Sequence, residues 1–424
     1  MTTTKVAKSV LSNGVRVVSE AMPQALSASI GVWVENGSRY EEPHENGVSH
    51  FIEHLLFKGT KKRSAAQIAE EIDAVGGVLN AFTGKEYTCY YAKVLGEDVP
   101  LGLEILADIF LDSVFSPQDV DRERHVVLQE ISQAEDTPDD LIHDLFNLNF
   151  WKGHALALPI FGSAATVGAI DREMMVSFMK ERYRAGRVFI AASGQVDHGS
   201  LVESCERFFC GILGDGAPVA TTPPQSHGIF VHHERPLEQV HICIGSPGVS
   251  YTHDLRYAGY VMNTALGGGM SSRLFQEVRE KRGRVYTIHS FMSSYLDCGY
   301  FAVYAGTNAE WAAEVIEVTL SELGKVAREG LTPAELARAK SQLKGNLLLG
   351  LESTDSRMNR LAHNEIYFGG HVPIEEVSRR IERVNADQIV ELASSLFKAE
   401  QMGVVLLGDL KGQKVSREVL SSLA

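Results

Sequence analysis

The chain has 424 residues, 44% of them hydrophobic and 22% charged, with a formal net charge of −14. That length exceeds what one core usually serves, so two or more domains are expected. The acidic balance disfavours nonspecific nucleic-acid binding, which depends on Lys and Arg neutralising phosphates, and no apolar run approaches the roughly 18 residues a membrane helix needs, so no membrane insertion is expected.

In chain order, Lys8–Leu11 and Val15–Val18 flank Asn13-Gly14, a hairpin signal. Ser27 to Val34 alternates like a strand, and residues 35–45 lead as a loop into Asn46-Gly47-Val48-Ser49-His50-Phe51-Ile52-Glu53-His54-Leu55-Leu56-Phe57-Lys58-Gly59. There Asn46 is the expected helix cap and Gly59 the expected stop. On such a helix His50 and His54 are i and i+4, so both imidazoles project from one face, with Glu53 beside them. This is the His-x-x-Glu-His order of the inverzincins. Two histidines with one further carboxylate leave a fourth position open, which is the plan of a water-activating zinc site.

Ser64 to Gln67 is a capping-box pattern, opening a helix that runs to Gly76-Gly77. Val78–Phe82 and Tyr87–Val94 read as strands around a Gly84 turn, followed by a helix near Leu101–Val114. Ser116-Pro117 starts another helix, carrying Glu123 and Glu130. Seven residues place these carboxylates on one face, about 10 Å apart along the axis. Among Val126, Val127 and Leu128 they read as partly buried, and a buried carboxylate needs a partner such as a metal. Helices at Asp139–Phe150, Arg172–Tyr183 and Ser200–Cys210, and a strand at Arg187–Ala192, complete the first half.

At this point the residues resemble a known family. His50-x-x-Glu53-His54 followed by Glu130 is similar to the pitrilysin-type (M16) zinc metallopeptidases, in particular the short bacterial members related to the mitochondrial processing peptidase. The resemblance implies His50, His54 and Glu130 as ligands of one Zn2+ per chain, Glu53 as general base, and Glu123 as a carboxylate that orients a ligand. It implies that Leu79-Asn80-Ala81-Phe82-Thr83 is an edge strand to which a peptide substrate adds, through Asn80, Ala81, Phe82 and Thr83. The fold it implies is α+β, with two homologous domains from an internal duplication. Each would be a mostly antiparallel sheet packed by helices on one side, with a clamshell-type chamber in a dimer.

Residues 213–226 are rich in Gly, Pro, Ser and Thr and form the expected linker between a metal-binding catalytic domain (1–212) and a second domain (227–424). The second half repeats the first in outline: His241–Ser246 stands where Ile30–Val34 stood, and Glu335–Leu349 mirrors the helix of Glu130. It lacks His-x-x-Glu-His. Leu266-Gly267-Gly268-Gly269-Met270 has neither P-loop nor Rossmann spacing; the resemblance reads Gly267, Gly268 and Gly269 as a mobile loop facing substrate. By itself Arg279-Glu-Lys-Arg-Gly-Arg-Val-Tyr286 is a solvated basic turn, whereas in the family Arg279 holds substrate backbone and Tyr286 donates to an oxyanion.

These features together predict a zinc-dependent endopeptidase acting on unfolded peptides or presequences. A homodimer is expected because one chain carries both the metal motif and the Arg/Tyr pair. The rival reading is a noncatalytic core or partner subunit of a processing-peptidase-like assembly; such chains degrade the motif, which is intact here. The five cysteines (Cys89, Cys205, Cys210, Cys243, Cys298) are scattered, without Cys-x-x-Cys, which argues for a reducing compartment. With no apolar h-region in residues 1–10, a bacterial cytoplasm is expected, or a mitochondrial matrix in a eukaryote.

Overall fold

Apolar alternation along the strands builds two sheets in the computed structural model, which describes residues 5–214, 216 and 219–423. Strands β1 (Val6–Val10), β2 (Arg16–Ala21), β3 (Ser27–Val34), β4 (Val78–Thr83), β5 (Thr88–Leu95) and β6 (Val188–Gly194) form a six-stranded sheet in the order β1-β2-β6-β3-β5-β4. Strands β7 (Ile229–His233), β8 (Val240–Pro247), β9 (Val285–Ser294), β10 (Gly299–Thr307) and β11 (Gly403–Leu407) form a five-stranded sheet in the order β7-β11-β8-β10-β9. The helices between them are α1 (Val48–Leu56), α2 (Ala65–Ala74), α3 (Val99–Asp112), α4 (Pro117–Glu135), α5 (Pro138–Phe150), α6 (Ala164–Ala169), α7 (Arg172–Arg182) and α8 (His198–Phe209). In the second half they are α9 (Arg256–Gly267), α10 (Ala312–Glu329), α11 (Pro333–Gly350), α12 (Thr354–Phe368), α13 (Ile374–Arg383) and α14 (Ala386–Leu396).

Without β1 the two sheets share one plan. β2 runs parallel to β6 as β7 does to β11, and the remaining pairs (β6·β3, β3·β5, β5·β4 against β11·β8, β8·β10, β10·β9) are all antiparallel. This is the duplication in the backbone itself. The compact units do not follow the chain halves, however. One comprises Met1–Gln133, Leu158–Ala220 and Gly350–His371; the other comprises Ala134–Ala157, Thr221–Leu349 and Val372–Ala424. Each unit therefore takes one helix from the opposite half: α12 joins the first and α5 the second. Of the expected linker 213–226, Asp215, Ala217 and Pro218 lie outside the described residues, as do residues 1–4 of the leader reading.

The exchanged helices correct the expectation of helices on one side. Strands β3 and β6 are buried on both faces, because period-two alternation sends Ile30, Val32, Val34 and Ile190 into the core under α1 and α3. Trp33, Cys89, Phe189 and Ala191 point the other way, against Met358, Leu361 and Ala362 of α12. A Cβ on Gly31 would lie 2.6 Å from Trp33 Nε1 and 3.2 Å from Met358 Sδ, and one on Gly245 would lie 2.4 Å from Phe146 Cζ of α5. A glycine in the same strand of each sheet thus admits the exchanged helix.

Polar contacts fix α12 in place. Glu365 accepts from Lys8 Nζ at 2.7 Å and Arg16 Nη1 at 2.8 Å, and Tyr367 donates to Glu86, which also pairs with buried Arg39. His363 of α12 lies 3.0 Å from the Tyr87 hydroxyl, and burial pushes its pKa down to about 4. The unfolded chain takes up that proton near pH 6.5 and the folded chain only near 4. The unfolded state therefore holds more protons in that window, and stability falls as pH drops through it, by roughly 1 kcal/mol per unit for one such group. Denaturant unfolding of His363→Phe should show a shallower loss between pH 6.5 and 4 than the unsubstituted chain; an identical pH profile would remove His363 as the cause.

Candidate metal centre

Helix α1 is set by its surroundings more than by its own cap. Val48, Phe51, Ile52, Leu55 and Leu56 are buried along it, which directs the His50–Glu53–His54 side toward α4 and the end of β4. The expected cap, Asn46, is not the cap. The N-cap is Gly47, at φ +99, with no side-chain cap of its own. Instead the Glu41 carboxylate accepts from Gly47 N at 2.8 Å and Ser49 N at 2.9 Å, while Asn46 Nδ2 donates to it at 3.2 Å and to Pro159 O at 3.0 Å. A buried anion at a helix N-terminus meets both the free N–H groups and the dipole. Burial raises the Glu41 pKa, and these N–H donors oppose that rise. Gly47 is also sterically required, since its Cβ would lie 2.7 Å from Phe161 O. That close approach brings the Phe161 ring within 5.0 Å of the His50 ring.

Helix α4 supplies the carboxylates. Its capping Ser116 accepts from Asp119 N at 3.2 Å, and Val120, Glu123, Val127 and Ile131 form its buried stripe. Glu123 is 3% exposed and engaged at both oxygens: Lys58 Nζ lies 3.0 Å from Oε1, and His54 Nδ1 lies 3.4 Å from Oε2. That contact orients the ring with Nε2 toward Glu130.

Glu130 Oε2 lies 3.3 Å from His54 Nε2 and 3.6 Å from His50 Nε2, and the two imidazoles are 4.7 Å apart by centroid. His50, His54 and Glu130 each offer a donor atom within 4.8 Å of the others, the one such cluster of three among the described residues. Donors placed around a tetrahedral zinc at ligand distances of about 2.0–2.2 Å sit roughly 3.3–3.6 Å apart, and the two Glu130–imidazole distances fall in that range. The chemistry matches too. Burial, reinforced by His54, lowers the His50 pKa to about 3, which favours the unprotonated ring that metal ligation requires. Glu130 Oε2 is buried with no hydrogen-bond partner, as a ligand atom aimed at a cation would be.

Glu53 stands beside this cluster. Burial raises its pKa, and its nearest opposing influence is a hydrogen bond from Thr83 Oγ1 to Oε2 at 2.5 Å. Thr83 closes β4, which is an edge strand, as expected. Leu79 and Ala81 face the α1 core, and Phe82 packs on the other face against Trp33 at 5.5 Å. Asn80 Oδ1 accepts from Ala81 N at 2.8 Å.

The remaining expected residues lie in the second unit. Gly267 ends α9, where a Cβ would lie 2.2 Å from Ser290 N, and one on Gly268 would lie 2.7 Å from Thr264 Cα. Gln342 Nε2 of α11 donates to Gly268 O at 2.9 Å, so the glycine run is tied to that helix. Arg279, on the π-helical turn Phe275–Glu280, stacks over Phe275 at 4.6 Å and over Tyr286 at 5.4 Å. The Arg/Tyr pair is therefore one cluster, with Tyr286 77% exposed. Sequence reasoning missed Glu41, Phe161 and Lys58. Only Lys58 carried a local signal, being i+4 from His54 and so on the same face.

On this duplicated α+β scaffold, two imidazoles and one carboxylate form a donor set that could hold a metal ion. Residues 16–164 match the family model for insulinase (peptidase family M16), and residues 169–343 match that for the peptidase M16 inactive domain. An uncharacterized zinc protease of Streptomyces coelicolor is 41% identical over 97% of this chain and 91% of its own. One from Bacillus subtilis is 40% identical over 91% of this chain and 94% of its own. Among solved structures, a peptidase M16 inactive domain from Pseudomonas fluorescens aligns with a TM-score of 0.90 at 20% identity, over 97% of this chain and 99% of that one. A chain of complex III2 from Candida albicans aligns at 0.86 and 20%, over 99% and 100%. These likenesses show the fold alone. The chain belongs to peptidase family M16, and its relatives named as zinc proteases support a metallopeptidase.

Proposed function

We propose that the chain is a zinc-dependent endopeptidase that hydrolyses extended, unfolded peptides through the inverted His50-x-x-Glu53-His54 motif. The observation that carries this is the spacing of His50 Nε2, His54 Nε2 and Glu130 Oε2, with the general-base candidate Glu53 on the same turn. His50, His54 and Glu130 would hold one zinc ion per chain, which when bound would supply the Lewis acidity that activates water and polarises a carbonyl. Glu53 takes the proton of the attacking water and returns it to the departing amine. Glu123 steadies His54. The free edge of β4 takes up the peptide as an added strand, which reads backbone and so accepts many sequences. Arg279 and Tyr286, as backbone and oxyanion donors, rest on the family likeness. Since one chain carries both the metal centre and this pair, we expect two copies to form the working enzyme. The five cysteines form no disulfide, which favours a reducing compartment such as the cytoplasm.

The test is hydrolysis of a mixed library of unstructured peptides, before and after a chelator, with molar mass followed by light scattering. The expected result is cleavage abolished by chelator and restored by zinc, at the mass of two chains. Metal uptake without cleavage would instead favour a partner subunit of a larger assembly, and a fully active single chain would remove the dimer.

A further inference from the structure

The end of the edge strand and the general base are physically joined. Thr83 is the last residue of β4, and its hydroxyl donates to Glu53 Oε2. Period-two alternation puts Leu79, Ala81 and Thr83 on one face of the strand. Leu79 and Ala81 anchor that face in the core with Phe51, Ile52 and Leu55 of α1. The backbone that carries Thr83 is thus fixed against the helix that carries Glu53. A glutamate has three rotatable side-chain bonds, and burial alone does not choose among their rotamers; a hydrogen bond from a fixed β-branched residue does.

Building on the peptidase reading above, we infer that Thr83 is a positioning residue for that reaction. Its hydroxyl locks the Glu53 carboxylate at a set place relative to the free edge of β4, so that a peptide added to that edge meets the base at one point along its length. Thr83 touches neither the scissile bond nor the donor set; it acts through Glu53. A base displaced by about 1 Å loses on the order of a hundredfold in rate, and a carboxylate free to turn spends part of its time so displaced.

The experiment compares Thr83→Val, which keeps shape and β-branching but removes the donor, with Thr83→Ser, which keeps the donor. Both are assayed for kcat, KM, zinc content and thermal midpoint, and the zinc-loaded Thr83→Val protein is crystallised. We expect kcat of Thr83→Val to fall by at least about tenfold with KM, zinc and midpoint unchanged, near-normal kcat in Thr83→Ser, and a Glu53 carboxylate turned from its place in the Thr83→Val crystal. Equal losses in both variants, a change in KM alone, or loss of zinc in Thr83→Val would overturn the assignment. If the unsubstituted chain cleaves no peptide, the peptidase reading is what fails. The crystal then still decides about Thr83, because an unmoved Glu53 overturns its role.

Discussion

Glu53→Gln protein should keep one zinc per chain and lose peptide hydrolysis by a factor on the order of 10³, within the range general acid–base groups contribute. The amide is nearly isosteric with the carboxylate and can still accept the Thr83 hydrogen bond, so packing around α1 is preserved. What it lacks is a basic oxygen to take the proton of water. Glu53 is not among the three clustered donors, which is why metal content should not follow activity. Elemental analysis beside kcat on the same sample checks this. An active, zinc-replete Glu53→Gln enzyme would place the base elsewhere.

Glu130→Gln should fail differently, losing the metal first and activity with it. Its Oε2 is the atom both imidazoles face and the one without another partner. Removing that charge leaves two imidazoles and a weaker amide oxygen to hold a dication. Glu123→Gln makes the informative contrast, because Glu123 is already engaged by Lys58 and His54. Losing an outer partner of this kind typically weakens metal binding by about 10- to 100-fold, and losing a ligand should weaken it more. Competition against a chelator of known affinity ranks the two. A larger loss in Glu123→Gln than in Glu130→Gln would exchange their roles.

What the sequence disclosed about the site is what local periodicity determines. His50 and His54 share a face because 3.6 residues make a turn, and Glu123 falls in the buried stripe of α4 for the same reason. The Ser64–Gln67 capping box and the span of β3 formed as read. The misses arise where no periodic pattern carries the information. Glu41 caps α1 from the preceding loop, where no periodic signal exists, and Asn46 looked like a cap because residue type does not reveal that Gly47 sits at positive φ. The amphipathic faces of α5 and α12 announce burial but not the partner. Chain order suggests the sheet of their own half, whereas Gly31 and Gly245 open the opposite assignment.

The measurement that reaches the central claim most directly is anomalous diffraction at the zinc edge from crystals grown with zinc. One peak per chain is expected within bonding distance of His50 Nε2, His54 Nε2 and a Glu130 oxygen, with Glu123 against His54 Nδ1 and Glu53 unbonded to the metal. A peak bonded to Glu53 or Glu123 in place of Glu130, or lying away from α1 and α4, would contradict the account.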